Sequence, residues 1–244
     1  MNPMITIAVP SLNQGCFLDA ALYSIFQQDI SVEVVVLDGG STDGSLSVIK
    51  KWESRLFLWK SGPDNGQAAA INEGIGMGTA PYVCWLNADD ILYSGGLELL
   101  LNTLEENPRS PFAYGRCWTI SSGSRKLWPY LTCPFFSRLF DSYCFIAQPA
   151  TLIRREAWEH AGGLDEDLHF AMDYDLWWRL YHLWGVKPEY NGAFIAGTRL
   201  HSGAKTQSHG EAHYVEAMAV VKRHTGYIPL KWHLIRPIRK LWGA

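Results

Sequence analysis

Four short apolar runs in the first half of the chain constrain its fold more than any other feature. They lie at Ile5–Pro10, Val32–Leu37, Leu56–Lys60 and Tyr82–Leu86. Segments with apolar residues at helical spacing separate these runs. Strands that are apolar on both sides require cover on both faces, and alternation of such strands with helices is typical of parallel sheets. The pattern therefore predicts an α/β domain with a mostly parallel central sheet and helices on both faces.

The rest of the chain predicts the remaining elements. Helices are expected at Cys16–Gln28, from a cap at Asp43 through Lys51, and at Ala68–Met77, Leu97–Leu104, Arg154–Ala161, Phe170–Trp184 and Glu211–His224. Phe112–Tyr130 has the pattern of strand and turn, Pro129–Pro149 that of a long connection, and Val186–Thr198 that of an extended segment. Because no linker divides the chain convincingly, we expect one domain.

The composition excludes several classes of protein. Of the 244 residues, 48% are hydrophobic and 18% are charged, which is enough apolar material for a sizeable core. No run approaches the ~18–20 apolar residues of a membrane-spanning helix, and the sequence Met-Asn-Pro-Met does not resemble a secretory signal. The five cysteines lack Cys-x-x-Cys spacing, so we expect no disulfide framework, no zinc-thiolate site and a cytoplasmic location.

The charges are distributed unevenly along the chain. The net charge is −3, which argues against a globally basic protein that binds nucleic acid. After Glu216, however, six basic residues and no acidic residue follow. These basic residues alternate with Trp232, Ile235, Leu241 and other apolar residues. The segment is therefore expected either to lie on an anionic membrane surface or to dock on the core as a terminal helix with a solvated basic face.

Polar segments follow three of the predicted strands at the points where the strands end. They are Ser11–Gln14, Asp38–Asp43 and Asn87–Asp90. The carboxyl ends of parallel strands meet at one edge of a sheet, and in open α/β sheets ligands bind at that edge. We therefore expect the functional site there.

Two adjacent carboxylates, Asp89 and Asp90, come directly after a strand. Like charges repel, so the pair is costly unless a cation or ligand hydroxyl groups lie between the two side chains. Mg²⁺ and Mn²⁺ prefer oxygen ligands and often complete their coordination with substrate phosphates. The alternative is that one of the two aspartates closes a turn or caps the next helix.

The segment Asp38–Gly44 is a second candidate for ligand binding. It lacks the Gly-Lys-Ser/Thr of a phosphate-binding Walker loop and the Gly-x-Gly-x-x-Gly of dinucleotide-binding folds. Its glycines allow the backbone to approach a flat ligand, and Asp38 can accept a hydrogen bond from a base N–H. The alternative is a plain strand-to-helix turn that Asp43 caps.

A set of motifs in a fixed order resembles family-two glycosyltransferases of the GT-A fold. The motifs are Val9-Pro10-Ser11-Leu12-Asn13, Val36–Asp43, Asp64-Asn65-Gly66-Gln67 with Ala70-Ile71-Asn72-x-Gly74, Asn87–Asp90, Gly162–Glu166, Met172–Arg179 and Arg199-Leu200-His201-x-x-x-Lys205-Thr206. Each motif alone is weak, but their order and spacing across residues 4–206 are specific. Many relatives have Glu-Asp where this chain has Met172-Asp173.

The resemblance implies a role for each matching residue. The residues that would bind the nucleotide or its sugar are Pro10, Ser11, Asn13, Asp38, Asp64, Gln67, Asn72, Asp89 and Lys205. Asp90 would be the main ligand of a divalent cation, Mn²⁺ or Mg²⁺, with Asp89 and His201 beside it. Asp173 would be the general base. Apart from the resemblance, Trp177 and Trp178 are expected in the core by default, with stacking on an acceptor sugar as the alternative, because one helical turn places them beside Asp173.

The choice of base between Asp173 and Asp175 can be argued from helical spacing. Asp175 and Arg179 are spaced i, i+4, so that they can pair on one face of the helix. A carboxylate held by arginine has a lowered pKa and is a poorer base. Asp173 has no basic residue at either helical spacing, which favours it. The alternative is that both are acids that stabilise a helix N-terminus.

The resemblance also implies an overall activity. It predicts a GT-A domain at 1–206, with a nucleotide-sugar half at 1–110 and an acceptor half at 111–206, and a basic helical extension at 207–244. The domain would move a sugar, with inversion, from a UDP- or dTDP-sugar to a hydroxyl of a saccharide or a lipid-linked glycan in polysaccharide assembly. The enzyme would be cytoplasmic, at the inner face of the cell membrane, and would not bind nucleic acid. The alternatives are a non-catalytic nucleotide-sugar-binding or scaffold subunit and a sugar-1-phosphate nucleotidyltransferase.

Overall fold

The structure, a computed structural model, describes residues 2–203 and 210–233. Its strands are β1 (Ile5–Ser11), β2 (Val32–Asp38), β3 (Leu58–Ser61), β4 (Tyr82–Trp85), β5 (Ile91–Leu92), β6 (Phe112–Ser121), β7 (Lys126–Pro129), β8 (Thr151–Arg154) and β9 (Glu189–Leu200). Its helices are α1 (Gly15–Phe26), α2 (Ser45–Trp52), α3 (Gln67–Met77), α4 (Gly96–Glu106), α5 (Ser137–Phe140), α6 (Arg155–Ala161), α7 (Met172–Trp184) and α8 (Gly210–Thr225). Every helix expected from the sequence is present to within a few residues.

The strands form one sheet within the described residues. Its order is β3-β2-β1-β4-β8-β6-β9-β5, and β7 pairs with β6. β1 pairs in parallel with β2 and β4, and β2 pairs in parallel with β3. The continuous apolar runs of the first half therefore form a parallel sheet, as predicted.

The second half of the sheet is mixed. β8 is antiparallel to β4 and β6, β5 is antiparallel to β9, and β7 is antiparallel to β6, whereas β6 and β9 are parallel. The expectation of a mostly parallel sheet is thus correct only for β1–β4. β5 and β8 were not predicted: β5 has only 2 residues, and β8 runs directly into α6, so neither stands out as a separate apolar run.

Helices cover both faces of the sheet. α1, α2 and α4 pack on one face against alternate strand residues such as Ile7 and Val36. α3, α6, α7 and α8 pack on the other face, around Trp85 and Phe112. Side chains alternate between the two faces along a strand, which is why each apolar run supplies both cores.

The strand register brings the polar ends of the strands together. Ser11 of β1 lies opposite Asp38 of β2, and Asp38 lies opposite Ser61 of β3. β4 ends beside them, so the Asn87–Asp90 segment begins at the same edge. This edge is the one at which the sequence predicts the functional site.

Helix α8 belongs to the predicted C-terminal extension. Ala217, Val220 and Val221 are buried in the core that α7 shares. Residues 204–209 and 234–244 lie outside the described residues, and with them the expected boundary at 206/207 and most of the basic segment. Within residues 2–203 and 210–233, no helix combines the length and apolar character needed to cross a bilayer.

Gly78, which follows α3, offers a test of the packing. A Cβ at this position would lie 2.3 Å from Thr6 Cγ2 and 2.7 Å from Glu33 Oε2, and Thr6 and Glu33 are both buried and hydrogen-bonded to each other. We expect Gly78→Ala to lower the free energy of unfolding by about 1–3 kcal/mol, because overpacking displaces this pair. The matched control is Gly76→Ala inside α3, where a Cβ meets open space.

That control is expected to stabilise the protein by about 0.5–1 kcal/mol, since alanine favours a helix interior over glycine. Urea unfolding of both variants measures the difference. Equal stability of the two variants would contradict the packing described here.

Candidate active site

Asp38 fixes the turn that follows β2. Its side chain is only 3% exposed, and Oδ2 accepts hydrogen bonds from Ser41 N at 3.0 Å and Ser61 Oγ at 2.7 Å. Oδ1 accepts a bond from Ser41 Oγ at 2.5 Å. These bonds hold the turn with Gly39 and Gly40 at the carboxyl edge of the sheet.

Asn13 joins the loop after β1 to the loop after β2. Asn13 has a positive φ of 53°. Its N–H donates to Ser41 Oγ at 2.7 Å, and its Oδ1 accepts a bond from Thr42 N at 2.9 Å. Pro10 and Ser11 are buried beneath this junction. Among the described residues the buried Ser11 hydroxyl has no hydrogen-bond partner, so a ligand at this edge can satisfy it.

Gly39 packs closely against two side chains and leaves no room for a side chain of its own. A Cβ at Gly39 would lie 2.9 Å from Asp64 Oδ2 and 3.5 Å from Leu12 Cδ1. Leu12 is 56% exposed, and the Asp64 side chain is exposed while its Oδ1 accepts a bond from Gly66 N at 2.8 Å. The exposed Leu12 side chain can contact the face of a flat ring, and the exposed Asp64 carboxylate can accept a hydrogen bond from an N–H donor of that ring.

Gln67 and Asn72 of α3 occupy different environments. Gln67 Nε2 donates to Asn87 Oδ1 at 2.8 Å, which places Gln67 beside the paired aspartates. The Asn72 side chain instead ties α3 to the loop before α7: its Nδ2 donates to Leu164 O at 3.0 Å and to Glu166 Oε1 at 2.9 Å, and its Oδ1 accepts a bond from Leu164 N at 2.8 Å. Asn72 thus connects α3 to the loop that contains Leu164 and Glu166.

The two adjacent carboxylates have different surroundings. Asp90 is 3% exposed; Oδ1 accepts a bond from Arg199 N at 2.9 Å and Oδ2 accepts one from Asn87 Nδ2 at 3.3 Å. Burial and the nearby charge of Asp89 raise the pKa of Asp90 to about 8. Asp89 is more accessible, and its Oδ2 lies 2.9 Å from His201 Nε2. The geometry therefore favours Asp89 over Asp90 as the ligand that faces a cation, whereas the sequence ranked Asp90 first.

His201 is held in place by Phe17 on its ring face and by Asp89 at its Nε2. Its ring packs on Phe17, with 4.7 Å between ring centroids. The neighbouring Arg199 donates from Nε to Asp89 O at 2.7 Å, and its guanidinium lies 4.8 Å from the centroid of the Phe17 ring. These contacts join the end of β9 to the loop after β4.

The donors at this edge fit a divalent cation. An accessible carboxylate oxygen and an imidazole nitrogen lie side by side, and both are ligand types that Mn²⁺ accepts. Among residues 2–203 and 210–233, no group of three or more His, Cys, Asp or Glu side chains forms a complete metal site. Asp89 and His201 would therefore hold a cation together with oxygens of the substrate.

Asp173 is a partly buried carboxylate in the first turn of α7. Burial raises its pKa to about 6, even though its Oδ1 accepts a bond from Tyr174 N at 2.7 Å. A carboxylate of this kind is partly relieved of water and is a stronger base than a solvated one.

Asp175 differs from Asp173 in every respect that matters for a base. It is fully buried, and it bonds to Arg179 Nε at 2.7 Å, as the i, i+4 spacing predicts, to His224 Nε2 at 2.8 Å and to Arg223 Nη1 at 3.2 Å. Burial alone would raise the pKa of Asp175, but the bonds from His224 and Arg179 outweigh burial and lower it. Asp175 therefore anchors the helix.

The structure decides the position of the two tryptophans of α7, and it does not describe Lys205. Trp177 and Trp178 are 0% and 3% exposed, and both belong to the core under the sheet. The default expectation of a core position is therefore confirmed, and the alternative of stacking on an acceptor sugar is not. Lys205 lies outside the described residues, and its contact with a diphosphate stays a prediction.

The structure adds residues to the site that the sequence did not single out. Gln148 is 9% exposed; its Nε2 donates to Trp85 O at 2.8 Å and its Oε1 accepts a bond from Asn87 Nδ2 at 3.3 Å. Gln148 follows an irregular connection, where no periodic pattern could have marked it. Phe17 has a helical apolar pattern that equally predicts a core position.

Comparison with known families identifies the class of protein. The model of glycosyl transferase family 2 matches residues 6–160, which is more than half of the chain. The chain therefore belongs to this family.

Two curated relatives illustrate the range of similarity. The chondroitin synthase of Pasteurella multocida is 26% identical over 182 residues, which are 73% of this chain and 19% of that protein. The PGL/p-HBAD biosynthesis glycosyltransferase of Mycobacterium bovis is 34% identical over 119 residues, which are 46% of each. The matched parts span less than half of the length of these relatives.

Solved structures show the same fold. TarS of S. aureus in complex with UDP-GlcNAc has a TM-score of 0.71 and 18% identity, over 91% of this chain and 66% of that one. The mannosyltransferase PcManGT from Pyrobaculum calidifontis, in complex with GDP-Man and Mn²⁺, has a TM-score of 0.71 and 21% identity, over 98% of this chain and 68% of that one. This chain thus has the GT-A fold that the motif order predicted.

Proposed function

We propose that the protein is an inverting, cation-dependent glycosyltransferase that uses a nucleotide-diphosphate sugar as donor. The proposal rests on two groups of side chains in one domain: a candidate cation site and a candidate general base. Asp89 and His201 lie together at the carboxyl edge of the sheet, and Asp173, a carboxylate with a raised pKa, lies in the first turn of α7, where the acceptor would bind. Family membership supports the reaction class.

The donor would bind along the edge built by the first three strands. The base would lie against the exposed Leu12 and Asp64 side chains beside Gly39, while Asp38 holds the turn. The unpartnered Ser11 hydroxyl is available to the nucleotide. We propose UDP- or dTDP-sugars as donors.

The proposed chemistry is a single displacement. Asp173 would take the proton of the acceptor hydroxyl as its oxygen attacks the anomeric carbon from the face opposite the nucleotide, and general-base help of this kind contributes typically ~10²–10⁴ in rate. Asp89 and His201 would hold Mn²⁺ or Mg²⁺, which as a Lewis acid stabilises the negative charge on the leaving diphosphate. Lys205 would assist from the adjacent segment. One displacement inverts the centre without a covalent intermediate.

The acceptor would be a hydroxyl of a saccharide or of a lipid-linked glycan, used in cell-surface polysaccharide assembly. We also propose that the protein works in the cytoplasm against the inner face of the membrane. The exposed Leu230 and the basic residues after Glu216 fit an anionic lipid surface. Co-sedimentation with anionic and with neutral vesicles tests this part, and equal binding to both would contradict it.

A thermal-shift panel tests the donor proposal. We expect UDP or dTDP with Mn²⁺ to raise the melting temperature by about 5 °C or more at ~100-fold excess over Kd, because a ligand that binds only the native state stabilises it by mass action. ADP with Mn²⁺ and UDP with EDTA are the controls. A rise that is equal with ADP would contradict the base preference, and a UDP effect that is insensitive to EDTA would contradict the cation.

A further inference from the structure

We propose that Glu216 of α8 is a positioning residue for Asp173, because it clamps the N-terminus of the helix that carries the base. The proposal rests on the function proposed above and assigns a role to a residue outside the matched family range of 6–160. Two of its three tests do not measure sugar transfer, so they remain informative if the proposed function fails.

Glu216 binds the backbone immediately before α7. Its Oε1 accepts hydrogen bonds from Phe170 N and from Ala171 N, each at 2.6 Å, and its Oε2 accepts one from His169 N at 3.1 Å. The first N–H groups of a helix have no partner within the helix, and the helix dipole makes this end attractive to an anion. Only Met172 separates Ala171 from Asp173, so the clamp acts on the backbone that carries the base.

The other caps of α7 do not duplicate this contact. Ala171, which occupies the N-cap position, has no side chain that could accept a bond from the first turn. The next anchor along α7 is Asp175, which is held from α8 by Arg223 and His224. α8 therefore grips α7 on both sides of Asp173.

Docking of α8 itself does not depend on Glu216. Ala217, Val220 and Val221 are buried in the shared core, and Arg223 also binds Asp165 at 2.7 Å. Removal of the Glu216 side chain should therefore leave the fold intact while it releases the three N–H groups. This makes a variant at Glu216 interpretable.

The charge of Glu216 is one of several influences on the ionisation of Asp173. The titratable groups that act on or near Asp173 are Glu216 on α8, Tyr174 on α7, and Tyr130 and Cys144 in the long connection. Glu216 is an anion and disfavours ionisation of Asp173. Its charge and its clamp can therefore be separated by two substitutions.

The kinetic experiment compares Glu216→Ala and Glu216→Gln with wild type. Glutamine keeps an acceptor oxygen for the N–H groups but loses the charge, so kcat should stay within about threefold while the acid limb of the pH profile moves to lower pH. Alanine loses the clamp, so kcat should fall by about 10–100-fold with an unchanged KM for the donor. Glu98→Gln, an exposed first-turn glutamate of α4, is the matched control.

Two further readouts do not require activity. Titration of the Asp173 carboxyl carbon by NMR, assigned with Asp173→Asn, should show a lower pKa in Glu216→Gln than in Glu98→Gln. Hydrogen exchange at the amides of Phe170 and Ala171 should be faster in Glu216→Ala. If wild type transfers no sugar from any donor, the proposed function fails, and these two measurements still decide the role of Glu216.

The proposal is overturned by either of two results. One is a Glu216→Ala variant that keeps kcat within about twofold while only its melting temperature falls, which is the signature of a purely structural cap. The other is an Asp173 titration and an amide exchange pattern that are the same in the Glu216 variants as in Glu98→Gln.

Discussion

Asp173→Asn should abolish sugar transfer while donor binding remains intact. The carboxylate is the proposed base, and an amide cannot take a proton from the acceptor hydroxyl, so kcat should fall by about 10²–10⁴ or more. Steady-state transfer assays measure the loss, and the thermal shift with UDP and Mn²⁺ should match that of wild type. A rate within a few-fold of wild type would show that another group is the base.

The pH profile of wild type provides an independent check of the same assignment. Because the pKa of Asp173 is raised to about 6, kcat/KM should rise with pH through that region and level off above it. Ionisation of Asp173, which should raise activity, lowers the stability of the fold. Burial penalises the ionised form of Asp173, a cost present above pH 6 and absent below the ordinary pKa, so Asp173→Asn should not lower the melting temperature at neutral pH.

Asp175→Asn is the matched control on the same helix. The pKa of Asp175 is lowered, so its ion pairs stabilise the fold above the ordinary carboxyl pKa and are lost as pH falls. Removal of its charge leaves Arg179 and His224 without their partner and should destabilise the protein on the order of 3 kcal/mol. A loss of stability in Asp173→Asn and none in Asp175→Asn would reverse the roles assigned here.

Asp89→Asn should remove most of the cation dependence together with activity. The Asp89 carboxylate faces His201 and is the accessible oxygen donor at this edge, so its loss should weaken binding of Mn²⁺ in the presence of UDP by about tenfold or more. Calorimetric titration measures this binding. Asp29→Asn, on an exposed turn, controls for the loss of one negative charge.

Asp90→Asn separates the two neighbours. Burial raises the pKa of Asp90 to about 8 and so penalises its ionised form, and an asparagine oxygen can still accept the bond from Arg199 N. Asp90→Asn should therefore keep the melting temperature near that of wild type at neutral pH and weaken Mn²⁺ binding less than Asp89→Asn does. If Asp90→Asn abolishes Mn²⁺ binding while Asp89→Asn does not, the ranking taken from the sequence is right and the one taken from the geometry is wrong.

The features that the sequence predicts correctly are those that depend on residues close together in the chain. The four apolar runs predicted β1 to β4 and the ligand edge, because burial on two faces leaves a continuous signal in the sequence. The i, i+4 spacing predicted the pair of Asp175 and Arg179, which the structure confirms at 2.7 Å. Both inferences depend on residues that are close together in the chain.

Contacts between distant residues could not be predicted in this way. Asp90 is occupied by Arg199, which lies 109 positions later, and α7 is capped by Glu216, which lies 45 positions after Ala171. No propensity or spacing relates such residues before the chain is folded. A helical period likewise does not reveal which face meets the core, so for Trp177 and Trp178 it left stacking on an acceptor open beside the default core position that the structure shows.

The contacts made by the stretch from Arg199 to His224 limit how specificity can be redesigned. At its start, Arg199 donates a hydrogen bond to Asp89 O, and at its end His224 bonds to Asp175 of α7. A chimaera with another member of the family, joined at the end of the matched range near residue 160, would combine the Asp89 loop of one parent with the Arg199 and His201 of the other. Recombination should therefore exchange 199–225 as a unit with the partners it holds on both sides, and breakpoints inside it should yield inactive hybrids.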